Sequence, residues 1–305
     1  MLNYLLGSGS RYHFFFLLVL ACFIGYQTPC LAIDKPKIVL LYTTEHAEFQ
    51  TVLTSIILKD HHNQVDVLSI NLNERDCSSH LQASTEQAAL LITLGENALE
   101  QAIHCSDTTP VLASFVYRQH YNVLVDKYKH LPKRPISAIF LGQSIQKQLD
   151  LIQVLALYFN HEIRIGSMIN KNPMRKQSLS QIAKSRNLIL NIFSLENTTH
   201  ETKIKTLNEI IQTNNVLLLL PDDEIISPKI ARGVLLTALH NGVPVIGYTK
   251  QMVKLGALAA ISSSKYQMAK SISEIIRDAK DSNFQDLPKP DFAKNYDITI
   301  NHSVA

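Results

Sequence analysis

Side chains able to bind or react gather at one kind of place in this chain, the carboxyl ends of short apolar runs. Thr43, Thr44 and Glu45 follow KIVLLY (37–42), and Gly95, Glu96 and Asn97 follow ALLITL (89–94). Ser114 and Phe115 end VLASFV (111–116), with Tyr117 just beyond. Asn170 follows RIGSMI (164–169), Pro221, Asp222 and Asp223 follow VLLLL (216–220), and Tyr248 ends VPVIGY (243–248). Hydroxyls, amides, carboxylates and one phenol in such positions suit non-covalent capture of a small polar molecule. A glycine between a strand and a helix lets backbone N–H groups approach a ligand closely, although a plain tight turn also uses glycine there. Asp222 and Asp223 offer acceptors to a ligand amine, or else are solvated carboxylates near a helix start. Tyr248 offers an aromatic face with a polar tip, or else packs in the core.

Motifs for covalent or cofactor chemistry are missing. The chain has no G-x-G-x-x-G after a strand, no G-x-x-x-x-G-K-[ST], no H-E-x-x-H, no G-x-S-x-G and no C-x-x-C. Histidines at 61, 62, 80, 104 and 120 lack ligand spacing and read as scattered surface residues, so no metal site is expected. Lys127, Lys129, Lys133 and Arg134 form a basic patch without an aromatic platform, which argues against nucleic acid. The expectation is a protein that is not an enzyme and takes no cofactor or metal.

The elements that position these residues alternate between apolar runs and segments of helical period. Ten strands are predicted, at 37–42, 65–70, 89–94, 111–116, 136–141, 164–169, 188–193, 216–220, 243–248 and 257–261. They are apolar almost throughout, as strands covered on both faces must be. Phe49, Val52, Leu53, Ile56 and Ile57 make one helix face, Ile145, Leu149, Ile152, Leu155, Ala156 and Phe159 another, and Ile204, Leu207, Ile210 and Ile211 a third. Ser227-Pro228 starts a helix that Gly242 closes. Ten strands are too many for one ordinary sheet, and the pattern restarts near residue 136, so the fold class is α/β with two Rossmann-like lobes. No Pro/Gly/Ser-rich linker separates them, which implies short hinge crossovers. In open α/β sheets a ligand sits beyond the carboxyl ends of the strands, where the polar residues above lie.

The N-terminal 32 residues read as a targeting segment. Arg11 precedes the apolar run Phe14 to Gly25, whose twelve residues reach about 18 Å as a helix, short of a roughly 30 Å hydrocarbon core. Cys30-Leu31-Ala32 offers a small-x-small cleavage pattern, which points to a signal peptide at 1–32 and export to the periplasm. Val19-Leu20-Ala21-Cys22 is a looser alternative, a lipobox with an anchor at Cys22, and an uncleaved anchor is a third. Without Arg11 the formal charge falls from +3 to +2, with acids and bases interspersed, which leaves no general attraction to polyanions. An oxidising compartment would permit a Cys77–Cys105 disulfide, the alternative being two separate thiols.

Three stretches resemble ABC-transporter substrate-binding proteins of the type I periplasmic fold, in the branch associated with small amino-acid-like ligands. Thr93 to Leu99 is similar to the family's G-T-x-A segment after the third strand, and Gln148 to Ile152 followed by Arg164-Ile165-Gly166 resembles Q-L-E-L-I and R-I-G-V. Leu218 to Ile276 follows the family's order of strand, aspartate loop, helix, P-V/A-I strand, G-A-L-A-x hinge and closing helix. The chain departs from the family at Asp222-Asp223-Glu224, where Asp-Asn-Thr is usual, and at Tyr117-Arg118-Gln119-His120, where proline and glycine are usual. The resemblance implies lobe one at 33–138 and 249–281, lobe two at 139–248 and 282–305, and a small-molecule ligand held by hinge closure. It further implies ABC permease and ATPase subunits as partners, or a membrane sensor if the protein is a sensory or accessory relative.

Overall fold

A computed structural model describes residues 35–62, 64–72, 79–130, 134–158, 162–196, 199–221 and 228–304. Phe159, Cys77, Asp222, Asp223, Ser227 and the whole segment 1–34, on which several expectations fall, lie outside them.

All ten predicted strands are present: β1 (Lys37–Tyr42), β2 (Asp66–Asn71), β3 (Leu90–Leu94), β4 (Val111–Ser114), β5 (Ile136–Phe140), β6 (Arg164–Asn170), β7 (Ile189–Leu195), β8 (Val216–Leu218), β9 (Val245–Gly247) and β10 (Ala259–Ser262). Two more were not expected, β11 (Asp291–Phe292) and β12 (Asp297–Ile300). They form two six-stranded sheets, ordered β11-β5-β4-β3-β1-β2 and β12-β10-β9-β8-β6-β7. Every pairing is parallel except β12, which runs antiparallel to β10.

Each sheet is covered on both faces. Ile38 and Leu40 point to one side of β1, where they meet Phe49 and Leu53 of α1 (Ala47–Asp60) and Ile272 of a late helix. Val39 and Leu41 point to the other, toward Leu99 and Ala102 of α3 (Glu96–Cys105), which follows α2 (Ser79–Glu86) in the chain. Such side chains are fully buried, each stabilising the fold by about 1.5–3 kcal/mol. The first lobe is completed by α4 (Arg118–Lys127). In the second lobe α5 (Ile145–Ala156) and α6 (Pro173–Lys184) pack on one face of the sheet, while α7 (His200–Thr213) and α8 (Pro228–His240) pack on the other. The short α9 (Lys250–Lys254) leads into β10, and α10 (Lys265–Ala279) then returns the chain to the first lobe.

The expected lobe boundaries need correction. Residues 249–262 belong to the second sheet, because Ala259 and Ala260 pair with Ile246 and Gly247. The crossover falls instead at 263–264, where a capping box between Ser264 and Gln267 starts α10. Residues 282–292 stay with the first lobe, where Asp291 and Phe292 pair with Ile139 and Phe140 of β5. A doubly covered strand such as AAIS carries no mark of which sheet it enters, so its pattern alone could not assign it.

Three crossovers therefore join the lobes, at 141–144, 263–264 and 293–296, and one side chain ties them together. Gln143 is 3% exposed, and its Nε2 donates to Ser263 Oγ (2.6 Å) and to the Ala293 carbonyl (3.0 Å). Its Oε1 accepts from Lys147 Nζ (2.7 Å), which also lies 4.1 Å from the centre of the Tyr296 ring. Ser263 Oγ in turn donates to the Asn295 carbonyl (2.8 Å).

Candidate functional site

The carboxyl ends of β1, β3 and β4 meet at Gly95. Its φ of +90° suits glycine, and its N–H donates to the Ser114 carbonyl at 2.8 Å. A Cβ at Gly95 would stand 2.5 Å from His46 Nε2, so the missing side chain makes room for the protein's own imidazole. His46 comes from the 3-10 turn Thr44–His46 and also contacts the Phe115 ring, 5.2 Å between centres. Phe115 holds a positive φ of +57°, uncommon for a bulky residue, and stacks on Phe49 at 4.4 Å. Burial lowers the His46 pKa, which favours the neutral ring.

A second chain of contacts runs from this point to the other lobe. Glu96, at the start of α3, pairs with His120 Nδ1. His120 meets the edge of Tyr117 (5.9 Å), and Tyr117 meets Tyr248 at 6.5 Å, nearly perpendicular. Tyr248 is 5% exposed and rooted in the second lobe's core. Next to it, Gln119 Nε2 donates to the Pro221 carbonyl at 2.8 Å, and Arg175 of α6 donates to the same oxygen at 3.3 Å. The end of the β8 run thus collects donors from both lobes.

Below these contacts lies a cavity of about 130 Å³ between the lobes. Tyr117, Leu141, Leu179, Leu220 and Phe292 give it a largely apolar wall, and Gln148 and Arg175 supply polar groups. Arg118, also in its wall, is held by Asp291 (3.4 Å) and lies over the rings of Phe140 and Phe292 at 5.0 and 4.6 Å.

Of the residues expected from sequence, Gly95, Glu96, Ser114, Phe115 and Tyr248 are brought into this region. Thr43 and Thr44 make local bonds, to Glu45 (3.2 Å) and from Asn71 (3.3 Å), and Glu45 is exposed beside His46. Asn97 is exposed on α3, and half-buried Asn170 ends β6. Asp222 and Asp223 lie outside the described residues. Sequence reasoning missed His46, Gln119, Gln143, Gln148 and Arg175, and it placed His120 among scattered surface histidines, whereas it is half-buried and paired with Glu96. Gln148 carried a usable signal, because it stands three residues after Ile145 and four before Ile152, on the apolar face of α5.

No protein-family model matches the chain, and no curated protein matches it in sequence. Solved structures match it in fold. A ligand-free, open substrate-binding protein with adhesive properties from Clostridium difficile is 16% identical, with a TM-score of 0.65 over 88% of this chain and 93% of that one. A Streptococcus pneumonia ABC domain in complex with L-Trp is 14% identical, with a TM-score of 0.57 over 89% and 94%. A LacI family transcriptional regulator from Bifidobacterium animalis subsp. lactis is 12% identical, with a TM-score of 0.51 over 86% and 95%. The chain has the fold of the type I periplasmic binding proteins.

Proposed function

We propose that this protein is an exported substrate-binding protein that captures a small polar, amino-acid-like ligand between its lobes for ABC-type uptake. The observation that carries this reading is the cleft itself. Two lobes joined by three short crossovers meet through Tyr117, Gln119, Pro221 and Tyr248 around a cavity with an apolar wall and a few polar groups, the usual character of a small-molecule site. Two of the structural neighbours described above are substrate-binding or ABC proteins, one with L-Trp bound. Export to the periplasm rests on the Phe14 to Gly25 run and the Cys30-Leu31-Ala32 pattern. It fits the disulfide at Cys105, for which Cys77 is the proposed partner. Permease and ATPase subunits would receive the closed, loaded form.

A sensory or accessory role is the second reading. His46 filling the space over Gly95 and the direct Gln119–Pro221 bond favour it, because both occupy cleft positions a ligand would otherwise use. A thermal-shift screen of the purified protein against amino acids, small peptides, nucleosides and sugars separates the two. A ligand at a hundred times its dissociation constant stabilises by about 2.7 kcal/mol, easily seen as a rise in melting temperature. A specific shift, reduced in Asp222→Ala, supports uptake. A flat response across the panel refutes it in favour of the sensory reading.

A further inference from the structure

The three glutamines in the wall of the interlobe cavity are not equivalent. Gln143 uses its amide on the hinge, and Gln119 donates across the cleft to Pro221. Gln148 differs, being 1% exposed with an Oε1 that finds no hydrogen-bond partner among the described residues. Its Nε2 donates to the Gly247 carbonyl at 3.4 Å, which fixes the flip of the amide, since the reverse orientation would set two acceptors face to face. A buried acceptor without a donor costs about 1–3 kcal/mol, and such groups call for an explanation.

We propose that Gln148 Oε1 is the polar anchor of a ligand subsite, and that the group it takes is a neutral hydrogen-bond donor, a hydroxyl or amide N–H, on an otherwise apolar end of the ligand. The inference rests on the reading of the cleft as a ligand site. The apolar wall selects a neutral donor over an ammonium, because burying a charge costs far more than burying a hydroxyl or an amide unless a counter-charge pairs it. Leu141, Ile145, Leu179, Leu220 and Phe292 surround that position with apolar surface. The size points to one end of a ligand, because about 130 Å³ falls below the roughly 300 Å³ at which whole-ligand pockets begin.

The test uses two pairs of probes matched in shape, L-threonine with L-valine and L-asparagine with L-leucine, titrated calorimetrically into wild type and Gln148→Met. Wild type is expected to bind the hydroxyl or amide member of a pair on the order of tenfold or more tighter, and Gln148→Met to lose that preference. Ligand-free Gln148→Met is expected to melt close to wild type, because removing an unsatisfied buried oxygen offsets losing the long bond to the Gly247 carbonyl. A preference that survives in Gln148→Met, or a wild type that favours valine and leucine, overturns this inference alone. A variant that melts several degrees lower also overturns it, by marking the amide as structural through Gly247. Failure of the folded wild type to bind any of the four overturns the amino-acid-like reading of the cleft and this inference with it.

Discussion

Replacing Gln143 with methionine should loosen the junction of the two lobes, and the size of the effect follows from the bonds it removes. The side chain makes two neutral bonds, to Ser263 Oγ and the Ala293 carbonyl, and accepts one from Lys147. Each neutral bond contributes about 1 kcal/mol net, and the Lys147 bond about the same, since the half-buried ammonium regains water when released. Methionine keeps the length and apolar contact of glutamine, so packing loss adds little. The expected destabilisation is therefore about 3 kcal/mol, which at about 2 °C per kcal/mol for a chain of this size lowers the melting temperature by about 6 °C. Differential scanning calorimetry of the ligand-free protein measures it. Lys147→Met serves as the control, because it removes one of the three bonds together with the Lys147–Tyr296 ring contact and should cost about half as much. A Gln143→Met variant melting within about 1 °C of wild type would refute the claim that one amide ties the three crossovers, as would an equal loss in both variants.

Other substitutions and conditions give equally direct tests. Gly95→Ala should destabilise by more than about 2 kcal/mol, because a Cβ there meets His46 Nε2 at 2.5 Å and the backbone keeps a φ of +90°. Urea unfolding checks this, and an unchanged midpoint would show that His46 swings away freely. Burial lowers both the His46 and His61 pKa values from 6.5, so the folded protein binds fewer protons than the unfolded chain below about that pH. Stability should accordingly fall as pH drops from about 6.5, and the Asp60 carboxylate, held below 3.8 first by its Lys270 hydrogen bond, should add its loss only in stronger acid. Urea midpoints at neutral and mildly acid pH that coincide would contradict the histidine part. Cys105→Ala should cost about 2–4 kcal/mol by freeing a cross-linked loop, with 28 positions separating it from Cys77, and thiol titration of the unfolded wild type should find that pair oxidised.

The strands were legible because burial on both faces leaves a dense apolar run, as in β3 (LLITL), where all five residues are buried. The two missed strands lack that signature. β11 has only Asp291 and Phe292, and β12 is an edge strand with Asp297, Ile298 and Ile300 exposed. The wrong assignment of 257–261 has a related cause, since an apolar run states that it is covered and not by which lobe.

The site was legible to the extent that its chemistry is local in sequence. Gly95 stood out as a glycine between strand and helix, but its occupant, His46, lies 49 positions away and was invisible until β1 and β3 were laid side by side. Gln143 shows the same limit more sharply, because its meaning depends on Ser263 and Ala293, 120 and 150 positions away along the chain. Gln148 lies between these cases. A polar residue on the apolar face of α5 could be flagged from spacing alone, and burial then turns that flag into energy, because its Oε1 is shielded from water with no donor among the described residues. Two of these amides on neighbouring turns therefore do different jobs: Gln143 satisfies its hydrogen bonds within the protein and fixes the hinge, while Gln148 keeps an acceptor that no described residue satisfies, the group assigned above to a ligand.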